Sequence, residues 1–349
     1  NRQLGRLYMN NDGGMMFGST TGILGANANS VGRSSEASGT NATAFGSVAK
    51  ADKEAATAIG SNVTASGVSS LAVGTSSNAT ADNSIAIGNA ATGSGASAVA
   101  IGQSLTGSGA SSVTIGQSST GSGANSIAIG NTATGSGASS ISLGASSTGS
   151  GTNSVALSSS TASGASSIAI GQGSLAEASY SIVIGDNARA PYTKNLADSV
   201  NLGNDAVVLG RNAGASGGAG KSVVIGSGAN VLNVGDSKSP GAIAIGANAE
   251  AKGKSTPKNF DSSIAIGSKA QAHGGSDTYL SYEDILNSLA IGTYASAQNG
   301  GVAIGMGSRT YGLTYVANTQ KIRKTTASGK NSIAIGLNAT ASGENNIVL

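Results

Sequence analysis

The sequence has no cysteine, no tryptophan, three prolines and one histidine in 349 residues. Without cysteine, neither a disulfide framework nor thiolate chemistry is available. The single histidine, His273, rules out a multi-histidine metal site or a histidine pair within one chain. It falls between apolar strands and is expected to be a solvated loop residue. Charged residues make up 10% and aromatics 3%, against roughly 25% charged in ordinary globular domains. The net charge of +3 comes with no basic stripe interleaved with aromatics, so nucleic acid is not an expected partner. No apolar run reaches the length of a membrane-spanning helix, and no leader is visible. The chain reads as a fragment of something longer, with any membrane anchoring in regions absent from this sequence. Its glycine-rich runs lack the Gly-Lys-Ser/Thr of a phosphate loop and the repeating aspartates of calcium-binding β-rolls. The expectation is no metal, no cofactor and no enzyme activity.

Glycine is abundant, with 55 copies, and it is periodic. Gly18, Gly32, Gly46, Gly60, Gly74, Gly88, Gly102, Gly116, Gly130 and Gly144 follow one another at a step of 14. Ser158 takes the next place, and the series resumes at Gly171 and Gly185. Most of these glycines close a short alternating run such as Ile85-Ala86-Ile87-Gly88 or Ile127-Ala128-Ile129-Gly130. The second half of a unit reads Thr-Gly-Ser-Gly-Ala or Ala-Ser-Gly. A helix is excluded by the period and by the density of glycine and β-branched residues. Each unit is read as one turn of a parallel β-roll with two short strands, about twenty turns in all. Glycines are expected at corners that need positive φ or close backbone contact.

Side chains alternate along a strand, so the two large residues of each run share one face and the alanine between them takes the other. The large residues are expected to form the roll core: Ile85, Ile87, Val99, Ile101, Ile127, Ile129, Ile168, Ile170, Ile264, Ile266, Ile333 and Ile335. The alanines Ala86, Ala100, Ala128, Ala169, Ala244, Ala265, Ala290 and Ala334 are expected to form an outer, smooth face. Two large residues per turn is a thin core for one chain. Homo-oligomerisation through the alanine face is therefore expected.

The chain divides into residues 1–185, a regular stack, and 186–349, the same stack with insertions. Between Asp82 and Glu177 no residue is charged. Four insertions are read at Asp186 to Asp198, Ala251 to Asp261, Gly274 to Asn287 and Met306 to Lys330. Ser281 to Leu286 is expected to form one helical turn, capped by Ser281. The last insertion carries Tyr311, Tyr315, Lys321, Arg323 and Lys324, residue types favoured at protein interfaces. It is the candidate receptor-contact loop, against the alternative that it packs on its own shaft or on a neighbouring subunit. Four Asn-X-Thr sequons, at Asn41, Asn62, Asn78 and Asn338, are read as chance matches.

The repeat Asn83-Ser84-Ile85-Ala86-Ile87-Gly88, recurring at Asn125 to Gly130, Ser263 to Gly267 and Asn331 to Gly336, resembles the YadA-like head of trimeric autotransporter adhesins. That resemblance implies a left-handed parallel β-roll assembled as a homotrimer on a bacterial cell surface, outside the outer membrane. It implies attachment to host matrix proteins (collagen, fibronectin or laminin) or to a host cell receptor, and autoagglutination. No neck, coiled-coil stalk or membrane anchor accompanies the repeats. Two rivals are a purely structural fibre or spacer and an ice-binding solenoid. The second rests on the row Thr92, Thr106, Thr120, Thr134 and Thr148 with serines beside it. Against that row stands its short extent and the glycine between its hydroxyls; the simpler reading is that the hydroxyls solvate and cap the turns.

Overall fold

The computed structural model describes residues 6–18, 24–190, 205–216, 221–235, 241–256, 262–273, 287–306, 325–328 and 331–349. It also describes the short paired strands at 193–194, 201–202, 259–260, 309–310 and 321–322. The chain forms two compact units, Asn1–Ser159 and Ser160–Leu349. Each is a parallel β-solenoid with coils of about 14 residues; together they make about 19 turns. No helix occurs among the described residues.

In the first unit one coil can stand for the rest. The strand Ile85–Asn89 pairs in parallel with Leu71–Thr75 on one side and Val99–Gln103 on the other. The short strand Thr92–Gly93 pairs likewise with Asn78–Ala79 and Thr106–Gly107. Two sheets thus run along the unit, one of longer and one of two-residue strands. Ladder bonds such as Ile85 N–H to the Ala98 carbonyl, 2.8 Å, satisfy the backbone from coil to coil, as a buried main chain requires.

The corners explain the period. From Asn27 to Asn153 every seventh residue has φ between 51° and 58°, so a coil is two half-turns of seven residues. Asparagine and serine fill most of these positions because they tolerate the left-handed region better than other residues with a Cβ. Corner N–H groups donate across the stack, as Ala90 does to the Thr75 carbonyl at 2.9 Å and Ser97 to that of Asp82 at 2.9 Å. The periodic glycines do a different job beside these corners. Gly88 has φ +138°, and a Cβ there would overlap the carbonyl oxygen of Gly102 in the next coil. Ser158, where the glycine series skips, cannot adopt that φ. It sits instead at φ 64° with Ser159 at 54°, and the next glycine follows after 13 residues rather than 14.

The interior reverses one expectation. Ala86, Ala100, Ala128, Ala169, Ala244, Ala265, Ala290 and Ala334 are fully buried inside their own chain, so they form no outer face. Ile85, Ile87, Val99, Ile101, Ile127, Ile129, Ile168, Ile170, Ile264, Ile266, Ile333 and Ile335 point outward, each half-buried or exposed. The alternation holds, but inside and outside are exchanged. Seven-residue half-turns bring the two sheets too close for anything larger than small side chains in most coils. The interior is accordingly alanine, serine and glycine, with Leu105 and a few valines the largest fully buried side chains. Thr114 shows the limit: a Cβ added at the facing Gly121 would overlap its Oγ1. Some of the buried serines that lead the longer strands bond back to their own corner, while others, such as Ser126 and Ser140, have a buried hydroxyl with no partner. Ser84 donates to the Ala81 carbonyl at 2.6 Å and Ser167 to Gly164 at 2.7 Å.

The insertions begin and end inside coils. Ala251 and Lys252 still belong to the strand Glu250–Thr256, whose far end folds back antiparallel on Asn259–Phe260. Thr326 and Ala327 have returned to the short-strand sheet. Near residue 193 a second antiparallel pair joins Thr193–Lys194 to Asn201–Leu202. The helical turn expected at Ser281 to Leu286 lies outside the described residues.

Candidate interaction surface

The outward side chains of the longer-strand sheet form two columns in each unit. In the first unit one runs Leu71, Ile85, Val99, Val113, Ile127, Ile141 and Val155, partner on partner in register. The other runs Val73, Ile87, Ile101, Ile115, Ile129, Leu143 and Leu157 by the same pairings. In the second unit the columns continue the pattern from Ile182, Val207, Val223, Ile243, Ile264 and Leu289. Single exposed aliphatics on a surface are ordinary. Two columns that stay apolar over these coils make a contiguous apolar strip, the kind of surface that marks an interaction site. Ile129, for example, remains 36% exposed and Ile59 38%.

The opposite sheet is polar. Thr92, Thr106, Thr120, Thr134 and Thr148 stack in register and are half-buried. The glycine after each threonine points inward, while Ser94, Ser108, Ser122, Ser136 and Ser150 are exposed beside them. At the end of the longer strands, an amide row continues the hydrogen bonding outside the backbone. Gln117 Nε2 donates to Gln103 Oε1 at 3.5 Å and Asn131 Nδ2 to Gln117 Oε1 at 3.1 Å.

Of the candidate receptor-contact residues, Tyr311, Tyr315, Arg323 and Lys324 lie outside the described residues. Lys321 is placed by its backbone, in the strand Lys321–Ile322 antiparallel to Arg309–Thr310.

His273 departs from expectation. It ends the strand Gln271–His273 rather than standing in a loop, and it is partly buried. Its Nε2 lies 3.0 Å from Glu250 Oε1, and Lys252 Nζ lies 2.7 Å from the same oxygen. The register that pairs Glu250 with Gln271 and Lys252 with His273 brings the three side chains together. Burial raises the pKa of Glu250, but hydrogen bonding and charge from Lys252 and His273 outweigh it and hold the carboxyl below its usual value. No sequence motif announces this cluster, because His273 joins Glu250 and Lys252, which share one strand, only through the pairing of successive coils. A smaller pair was also missed: Lys269 Nζ sits 3.0 Å from Tyr294 Oη and 5.1 Å from the centre of its ring, a cation–π contact. Among the described residues no group of three or more metal-ligating acidic or histidine side chains converges.

Stacked coils of about 14 residues, a small-residue interior and an aliphatic outer strip define an all-β parallel solenoid. Five segments, residues 37–62, 65–91, 162–188, 238–256 and 327–345, match the family model described as YadA head domain repeat (2 copies). The matched segments fall in both units, and their recurrence supports a YadA-like head domain. No curated protein matches the chain.

Proposed function

We propose that this chain is the head of a homotrimeric bacterial surface adhesin, packed through its aliphatic columns, and that it attaches cells to host matrix proteins or to a host receptor. The observation that carries the proposal is the pair of columns left uncovered on the longer-strand sheet. Burying an isoleucine or valine stabilises by roughly 1.5–3 kcal/mol, and the interior of one chain draws on almost none of these residues. Three copies placing their strips together would bury them all. The match to YadA head repeats supports the same arrangement, since heads of that family are typically trimeric and bind host matrix proteins. No enzyme activity enters this reading.

Attachment would then use the hydroxyl and amide surfaces that face away from the strip, repeated over many coils and three chains. Repetition on a cell surface turns weak contacts into firm binding by multivalency. The purified head, immobilised and tested against collagen, fibronectin, laminin and receptor-bearing cells, is expected to bind at least one of them. Deleting residues 309–324, and so sparing the strand Thr326–Ala327, tests the last insertion: loss of attachment with assembly intact assigns contact to that loop. A head that assembles yet binds neither matrix protein nor cell contradicts the adhesin reading and leaves the spacer.

A further inference from the structure

The aliphatic strip has one interruption among the described residues. In the first unit the column that carries Leu71 to Val155 starts at Met15 and then passes through Asn29, Thr43 and Thr57, stacked in register. All three point outward, because Ser30, Ala44 and Ala58 between their neighbours are buried. Over the same coils the adjacent column stays apolar and becomes bulky, with Phe17, Val31, Phe45 and Ile59 in register. Phe17 and Phe45 are 53% and 56% exposed.

We infer that Asn29, Thr43 and Thr57 lock the axial register in which copies of this chain pack. The inference rests on the reading that the copies meet through the aliphatic strip. From Leu71 onward both columns repeat with every coil, so one copy displaced by a single coil, about 4.8 Å along the stack, would remake nearly the same contacts. A repetitive apolar interface therefore does not specify its own alignment, just as a uniform strand face specifies its pairing weakly. Polar groups at one level change that. In register, the amide and hydroxyls of one copy meet those of the others and are satisfied. Displaced by three coils, they face Leu71, Ile85 and Val99 and are buried without partners, which is costly. A polar residue inside an apolar seam is the best-attested device for fixing register in packed helices; here it is built on a sheet. The bulky Phe17 and Phe45 act in the same direction, since a shifted aromatic meets a smaller residue.

The chain contains no cysteine, so introduced ones report cleanly. Two tagged versions would be co-expressed, one with Ile87→Cys and one with Ile115→Cys, and mixed assemblies oxidised. A second pair, Ile85→Cys with Val113→Cys, samples the other column. These positions stand two coils apart, about 9.6 Å, beyond the 4.4–6.8 Å between Cα atoms that a disulfide spans. In the otherwise natural chain, disulfides are expected between like positions and not between residues 87 and 115 or 85 and 113. With Asn29→Val, Thr43→Val and Thr57→Val added, the unlike disulfides should appear while the assembly keeps its mass. Unlike disulfides in the natural background, or none in the triple variant with the like ones retained, would overturn the register lock. A single-chain mass by light scattering before oxidation would instead overturn the packing reading, and the lock with it.

Discussion

Ile127 and Ala128 are joined by one peptide bond and face opposite ways: Ala128 is fully buried inside the coil, and Ile127 stands half-buried on its outside. The interior can take the smaller of the two and has no room for the larger. Ala128→Leu should therefore destabilise the fold by about 1–3 kcal/mol through overpacking, read as an earlier denaturant midpoint. Ile127→Ala should leave the coil folded and act on assembly instead. Equal effects of the two substitutions on both readouts would argue against this assignment of faces.

Val48 sits at a seventh-residue corner with φ 57° and is 45% exposed. A β-branched residue is strained there, whereas Asn41 and Asn62 at neighbouring corners are not. Val48→Asn is expected to stabilise the head by about 1 kcal/mol, with a higher melting temperature and unchanged assembly. A lower melting temperature would mean that Val48 makes contacts that outweigh its strain.

Glu250 accepts from both Lys252 and His273, and its pKa is held below the ordinary 4.5. The stabilisation from this carboxylate is complete above that value and is lost as pH falls through the depressed folded pKa. Partial exposure keeps it small, at most about 1 kcal/mol. Glu250→Gln should lower stability slightly at neutral pH and flatten the loss of stability on acidification below pH 4.5. Parallel acid-unfolding curves for the two proteins would remove the cluster from the account of pH dependence.

Much of this fold was readable from spacing alone. A step of 14 with alternating apolar residues dictated stacked coils, and the periodic glycines marked places beside the corners where a Cβ has no space. The alternation also placed Ile85 and Ile87 together and Ala86 apart from them. What spacing does not contain is the distance between the two sheets. That distance is set by seven-residue half-turns, whose corners are held by Asn83, Ala90 and Ser97, and it decides which face is the inside. The corners themselves were half-hidden, because serine, asparagine and alanine carry them as well as glycine. The Glu250–Lys252–His273 cluster was invisible for a different reason: an insertion separates His273 from the two residues beside which the ladder later places it. Asn29, Thr43 and Thr57 gain their meaning only from the outward direction of their column, which spacing does not contain.

The assignment of the aliphatic columns to the outside is the claim on which assembly, register and adhesion all depend. It is tested most directly by the mass of the purified head in solution, measured by light scattering with and without Ile101→Glu and Ile129→Glu. The account predicts the mass of three 33.2 kDa chains for the natural head and of a folded single chain for the double variant. A natural head with the mass of one chain, or a double variant that still assembles, would contradict it.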